Sequence, residues 1–273
     1  MIEPEARRQF AEIVAGPDER VDLAQAALLI ACEEYPRLDV ARYLRRMDEM
    51  AAALRRRLDG TSPAAAVRAL NGLLFDEEGF HGNLDDYYDP RNSFLNDVLD
   101  RRTGIPITLS TVYMEVGRRA GLDVEGVGLP GHFVVRVEGR LVDPYHGGAT
   151  LSMDDCQKRL DRIYGGRVKL DDSMLAACER KGIIARTLRN LKAIYTKAGD
   201  YARALTTVEL LLRVDPEALE ELKDRGLLHA ALDCYALAAS ELEEYLGRAG
   251  NAPGTDDVRR KVAELRRSAA RVN

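Results

Sequence analysis

Apolar residues recur at helical spacing along most of the chain. Leu44, Met47, Met50, Ala51 and Leu54 share one helical face within the first 60 residues. Asp22 is placed to cap a helix over 23–34, ahead of Pro36. Asp39 does the same for a helix over 40–58, which Gly60 stops. A further helix is expected over 63–75, then a polar, aromatic loop over 77–90. The acids of that loop lack the glycine and glutamate spacing of an EF-hand. Asn92 and Ser93 open a short helix over 94–101, with Asn92 expected as its N-cap. Pro106 then starts a helix over 106–120, where its missing N–H costs nothing, and Gly121 ends it.

After Gly121 the period changes from helical to alternating. Three strand-like runs follow over 124–129, 132–137 and 140–142. Glu138-Gly139 forms a two-residue turn between the last two. A helix start near Cys156 comes next, and from about residue 175 the pattern is helical again. Tyr201 and Tyr235 lead similar helices and stand 34 residues apart, the period of tetratricopeptide repeats. Both are expected to pack within the repeats. Two such repeats are fewer than an array needs alone, so they are expected to pack on the rest of the protein. The fold class is therefore α+β and mainly helical, with a small antiparallel sheet. Four regions are expected: N-terminal helices over 1–60, a core over 61–175, repeats over 176–250, and a charged helix or tail over 251–273.

Composition narrows the function. The 273 residues carry a net charge of −5. An acidic balance argues against nucleic acid or an anionic membrane as the main partner. Cys32, Cys156, Cys178 and Cys234 are scattered, with no Cys/His cluster, so neither a metal nor another cofactor is expected. The N-terminus lacks the basic and apolar regions of a secretory signal, and the longest apolar run, 23–32, is too short to span a bilayer. A cytoplasmic protein with free thiols is expected.

The candidate chemistry lies on the hairpin. With Glu138 and Gly139 as turn residues, Val134 faces Asp143 and His132 faces Tyr145. His132 and Asp143 are then diagonal neighbours on one face, roughly 7–8 Å apart at Cα. A His–Asp hydrogen bond follows from that geometry, and a one-residue slip would destroy it. The Asp would fix the imidazole tautomer and leave the other nitrogen as a base. In a papain-like or transglutaminase-like site such a base faces a cysteine at a helix start. The matching start here is Pro106. Ser110 lies four residues on, on the same face and about 6 Å along the axis, and is the substitute nucleophile to consider. Cys156 follows Asp154 and Asp155, which would raise its pKa. Asn92 and Tyr113 are candidate pocket residues, while His81 and His146 read as surface loop residues.

These residues resemble the bacterial SirB-like family, which has a transglutaminase-like core followed by tetratricopeptide repeats. The resemblance spans about residues 23–245. It rests on Asn92-Ser93-Phe94-Leu95, on Arg102-Thr103-Gly104-Ile105-Pro106-Ile107-Thr108-Leu109-Ser110, on Val112-Tyr113, on Pro130-Gly131-His132-Phe133, and on Val142-Asp143-Pro144-Tyr145-His146-Gly147-Gly148. In active transglutaminase-like enzymes the helix begins Gly-x-Cys. Counting back from Gly121 aligns that Gly with Gly104 and puts Pro106 where the Cys belongs. His132 and Asp143 match the other two triad members. The resemblance implies the fold and the His–Asp pair without the thiol chemistry. The expectation is a non-catalytic interaction or scaffold protein that takes a protein or peptide through its repeat helices or core cleft. The alternative is an amide or ester hydrolase or acyltransferase using Ser110 or water with His132 and Asp143.

Overall fold

The computed structural model describes residues 5–250 and 252–272. Residues 1–4, where the expected absence of a signal would be read, and residue 251, the expected start of the charged tail, lie outside them. The chain divides into two compact units, residues 1–187 and 188–273.

The first unit opens with α1 (Glu5–Ala15), α2 (Leu23–Ala31) and α3 (Val40–Arg55). The expected caps form: Asp22 accepts from Gln25 N and Asp39 from Arg42 N. Both helices end three residues earlier than expected, because their final residues close as tighter turns, such as Cys32 N to Leu29 O. Next, α4 (Pro63–Asn71) widens into a π-turn over Gly72–Glu77 instead of continuing regularly to Phe75.

The loop that follows is not wholly irregular. Its β1 (His81–Gly82) pairs in parallel with β2 (Thr103–Gly104), which follows α5 (Leu95–Arg101). Phe94, not Asn92, is the N-cap of α5, and its side chain makes no capping bond. Helix α6 (Pro106–Ala120) begins at Pro106 and ends at Gly121, whose φ is 97°. It is almost entirely buried and packs against α2, α3, α5 and the main sheet.

That sheet is antiparallel, in the order β3 (Val124–Val127), β4 (Val134–Val137), β5 (Arg140–Asp143), β6 (Ala149–Thr150). Val135 pairs with Val142 and Val137 with Arg140, the expected register. Glu138 and Gly139 have φ of 47° and 78°, as a type I′ turn requires. The strand expected from His132 starts only at Val134. The reason is local: residues 129–132 close a turn, the His132 N–H donating to the Leu129 carbonyl at 3.0 Å, while Arg186 Nη2 donates to the His132 carbonyl at 2.8 Å. Behind the sheet, α7 (Met153–Tyr164) contributes Cys156 and Leu160 to the core. Cys156 packs with Val127, Leu129, Val134 and Leu141.

α8 (Arg180–Ala198) contains the division between the units. In the second unit, α9 (Tyr201–Val214), α10 (Leu219–Ala231), α11 (Tyr235–Ala249) and α12 (Thr255–Val272) pack in succession. Their core includes Leu222, Ala238, Leu242, Tyr245 and Leu265. Tyr235 is partly buried against this core. Tyr201 is 37% exposed and is not part of the buried core, unlike the packing residue expected. It is the first residue of α9, ahead of the buried stripe, which begins at Ala204. Among the described residues, no helix is long and apolar enough to cross a membrane.

Candidate functional site

His132 and Asp143 meet as the hairpin register requires. His132 Nε2 lies 2.9 Å from Asp143 Oδ2, with the histidine 8% exposed and the aspartate fully buried. A carboxylate only accepts, so Nε2 carries the proton and Nδ1 is the remaining ring nitrogen. Tyr145, the expected facing residue, sets its ring edge-on to His132 at 6.2 Å.

The same Asp143 oxygen has two more donors. His146 Nδ1 is 2.8 Å away and Arg159 Nη2 is 2.6 Å away. Asp143 Oδ1 accepts the Tyr145 backbone N–H at 3.1 Å. Burial alone would push the Asp143 carboxyl upward. The hydrogen bond from His132 and the charges of His132, Arg159 and His146 outweigh it and hold the carboxyl below its ordinary range. His132 Nε2, Asp143 Oδ2 and His146 Nδ1 lie within 4.8 Å of one another, a set of atoms that a divalent cation could use. Arg159 already brings positive charge to that oxygen, which opposes a second cation there. His146 was expected as a surface residue and is half exposed, yet it belongs to the cluster. His81, by contrast, is an exposed residue bonded to Gly79 O and Thr103 Oγ1.

Other expected residues stand behind the cluster or apart from it. Tyr113 is fully buried and donates to Asn71 Oδ1 at 2.8 Å, while Asn71 Nδ2 donates to Gly148 O. The pair therefore pins the turn after His146. A side chain at Gly148, whose φ is 76°, would begin 2.3 Å from Asn71 Oδ1. Burial pushes the Tyr113 hydroxyl well above its ordinary range. Asn92 is also fully buried, and it ties down the preceding loop. Its Nδ2 donates to Asp86 O and its Oδ1 accepts from Asn83. Asn83 O in turn accepts from Tyr145 Oη at 2.8 Å. Neither Tyr113 nor Asn92 hydrogen-bonds His132.

Pro106 is buried at the start of α6, where no side-chain nucleophile exists. Thr108 is committed to structure: its hydroxyl accepts from Ile105 N and donates to Asn92 O. Ser110 is fully buried and its Oγ has no hydrogen-bond partner among the described residues, so it does not bond His132. Cys156 is buried too, and burial, then Asp155 and Asp143, keep its thiol raised despite Arg159.

Arg159, Asn71 and Tyr145 were not singled out as site residues from the sequence. Arg159 lies 16 residues beyond Asp143 and Asn71 lies 77 before Gly148, with no local pattern linking them. Tyr145 alone had a signal, as the residue facing His132.

Comparison with known proteins places both parts of the chain in described families. The family described as the transglutaminase-like superfamily matches residues 41–189, and the tetratricopeptide repeat family matches residues 191–267. A UPF0162 protein of Xylella fastidiosa is 37% identical over 91% of both chains. One from Pseudomonas aeruginosa is 33% identical over 82% of this chain and 83% of its own. F-box only protein 21 of Mus musculus is 28% identical over 61% of this chain and 28% of its own length. With its hairpin pair, its proline-started helix and its repeats, the chain belongs to the transglutaminase-like superfamily and, within it, to the SirB-like UPF0162 family.

Proposed function

We propose that this protein is a non-catalytic, cytoplasmic interaction protein whose transglutaminase-like core is a scaffold and whose repeat helices take a peptide or helix of another protein. One observation carries the reading. The start of α6 holds Pro106, and the hydroxyl that follows on the same face, Ser110 Oγ, is sealed without a bond to His132. A nucleophile needs its base within about 3.2 Å. The His132–Asp143 bond then serves the fold, joining the hairpin to the Pro144–His146 turn and to α7 through Arg159.

The binding surface is a groove of about 520 Å³ within the second unit. Ala193, Tyr201, Leu227 and Leu228 supply its apolar walls. Lys192 crosses it to Asp224 at 2.6 Å. An apolar trough with a charged edge suits an amphipathic segment. The test pairs two variants. Affinity capture should retain a partner with His132→Ala and lose it with Leu227→Glu, with unchanged helical circular dichroism in both. Ester and amide hydrolysis should stay at background in wild type and in His132→Ala alike. A turnover that His132→Ala abolishes while the fold survives overturns the reading. That result would favour water activation by the His132–Asp143 pair, for which the 2.9 Å bond is the supporting geometry.

A further inference from the structure

A second cleft in the first unit carries a charge opposite to that of the chain. It holds about 430 Å³ and is lined by Arg20, Val21, Asp22, Leu23, Glu115, Arg118, Arg119 and Arg180. Four guanidiniums therefore face two carboxylates in a protein whose net charge is −5. The carboxylates are engaged. Glu115 pairs with Arg119, and Asp22 caps α2 through Gln25 N.

Three of the guanidiniums are incompletely matched. Arg20 has no side-chain hydrogen bond or ion pair among the described residues. Arg180 gives Nη1 to the Val21 carbonyl at 2.7 Å, and its guanidinium pairs with no carboxylate among the described residues. Arg118 spends Nε on the Val124 carbonyl, and its buried Nη1 stands 4.0 Å from Glu115 Oε1 with no hydrogen bond among the described residues. A buried donor without an acceptor costs free energy that a bound anion would return. The backbone adds to the same field. The cleft includes the first residues of α2 and of α8, helix ends that carry partial positive charge. Asp18 offsets part of it by accepting from Arg180 N and Lys181 N.

We propose that this cleft binds a small phosphorylated molecule whose phosphoryl oxygens are taken by Arg20, Arg118 and Arg180. Forked donors arriving from three separate segments match a tetrahedral group with several oxygens, whereas one carboxylate would occupy a single fork. Four lining guanidiniums against Asp22, Glu115 and the adjacent Asp18 leave a positive balance that suits an anion. The volume falls within the range of small-molecule sites and leaves room beyond one phosphoryl group for its carrier. Its lining shares no residue with the His132 cluster or with the repeat groove.

Isothermal titration calorimetry on the full chain at low salt tests it, with inorganic phosphate, pyrophosphate and adenosine 5′-monophosphate as probes. Saturable binding of at least one probe is expected, weakened about tenfold by Arg20→Glu and by Arg180→Gln. Arg20 is exposed and unpartnered, so Arg20→Glu leaves the fold intact, and its melting temperature verifies this. Arg260→Glu makes the same charge change on α12 and should bind like wild type. Tighter binding of the nucleotide identifies a carried phosphate as the ligand, and equal binding of inorganic phosphate identifies the free ion. Both support the site. No saturation by any probe up to about 10 mM, wild-type affinity in both cleft variants, or equal weakening by Arg260→Glu overturns it.

Discussion

Asp143 Oδ2 receives hydrogen bonds from His132, His146 and Arg159, and this shared oxygen contributes to how the fold responds to acid. The Asp143 carboxyl lies below its ordinary range. The unfolded chain therefore holds that proton more tightly than the folded one. The resulting stability is complete above the unfolded carboxyl's pKa of about 3.9 and is lost as pH falls through the lower folded value. Urea unfolding between about pH 6 and about pH 3 should show a steeper loss in wild type than in Asp143→Asn. Asp143→Ala should cost about 3 kcal/mol at neutral pH, because it strands donors around a buried void. His132→Ala should cost less, about 1.5–2 kcal/mol, near the low end for a hydrogen bond to a charged group. The pair itself was legible in the sequence, since alternation and a two-residue turn fix which side chains share a face. The rest of its shell was not. Arg159 reaches Asp143 from α7, a separate element whose docking no local pattern records.

Among the elements, α6 sets the tolerances of the first unit. A Cβ added at Gly117 would sit 2.8 Å from Val124 Cγ2, a stiff β-branched neighbour on β3. Gly117→Ala should therefore destabilise by about 1–3 kcal/mol through overpacking, read as a lowered melting temperature. The turn residue Glu138 holds φ at 47° and compensates by accepting the Asp123 backbone N–H at 2.9 Å. Helix starts were readable because caps are local chemistry, as at Asp22 and Asp39. The pairing of His81 with Thr103 was not, because a two-residue strand has no period to detect. The π-turn at Gly72–Glu77 was equally hidden, since its apolar spacing imitates an ordinary helix.

For the whole molecule, charge and repeats frame the proposed partners. With a net charge of −5, the protein should pass through a heparin column at about 0.15 M salt, where a sulfated polyanion is held by an extended basic surface, as nucleic acid is. The repeat period was visible in the spacing of Tyr201 and Tyr235, and both lead helices of the second unit. Their burial was not visible, because the spacing gives a phase along the chain and not the direction of the first side chain in a helix. Tyr201 consequently lines the groove that the proposed partner occupies.

The junction at Asp143 makes the two members of the pair unequal under mutation. Removing His132 leaves the carboxylate with His146 and Arg159, whereas removing Asp143 leaves three donors without their common acceptor. A library of variants sorted for abundance alone should therefore discard substitutions at position 143 and accept many at position 132. Sorting for a reaction would instead hold both positions equally. The difference between those two profiles separates a residue kept as a rivet from one kept as a tool, and it can be read before any substrate or partner is in hand.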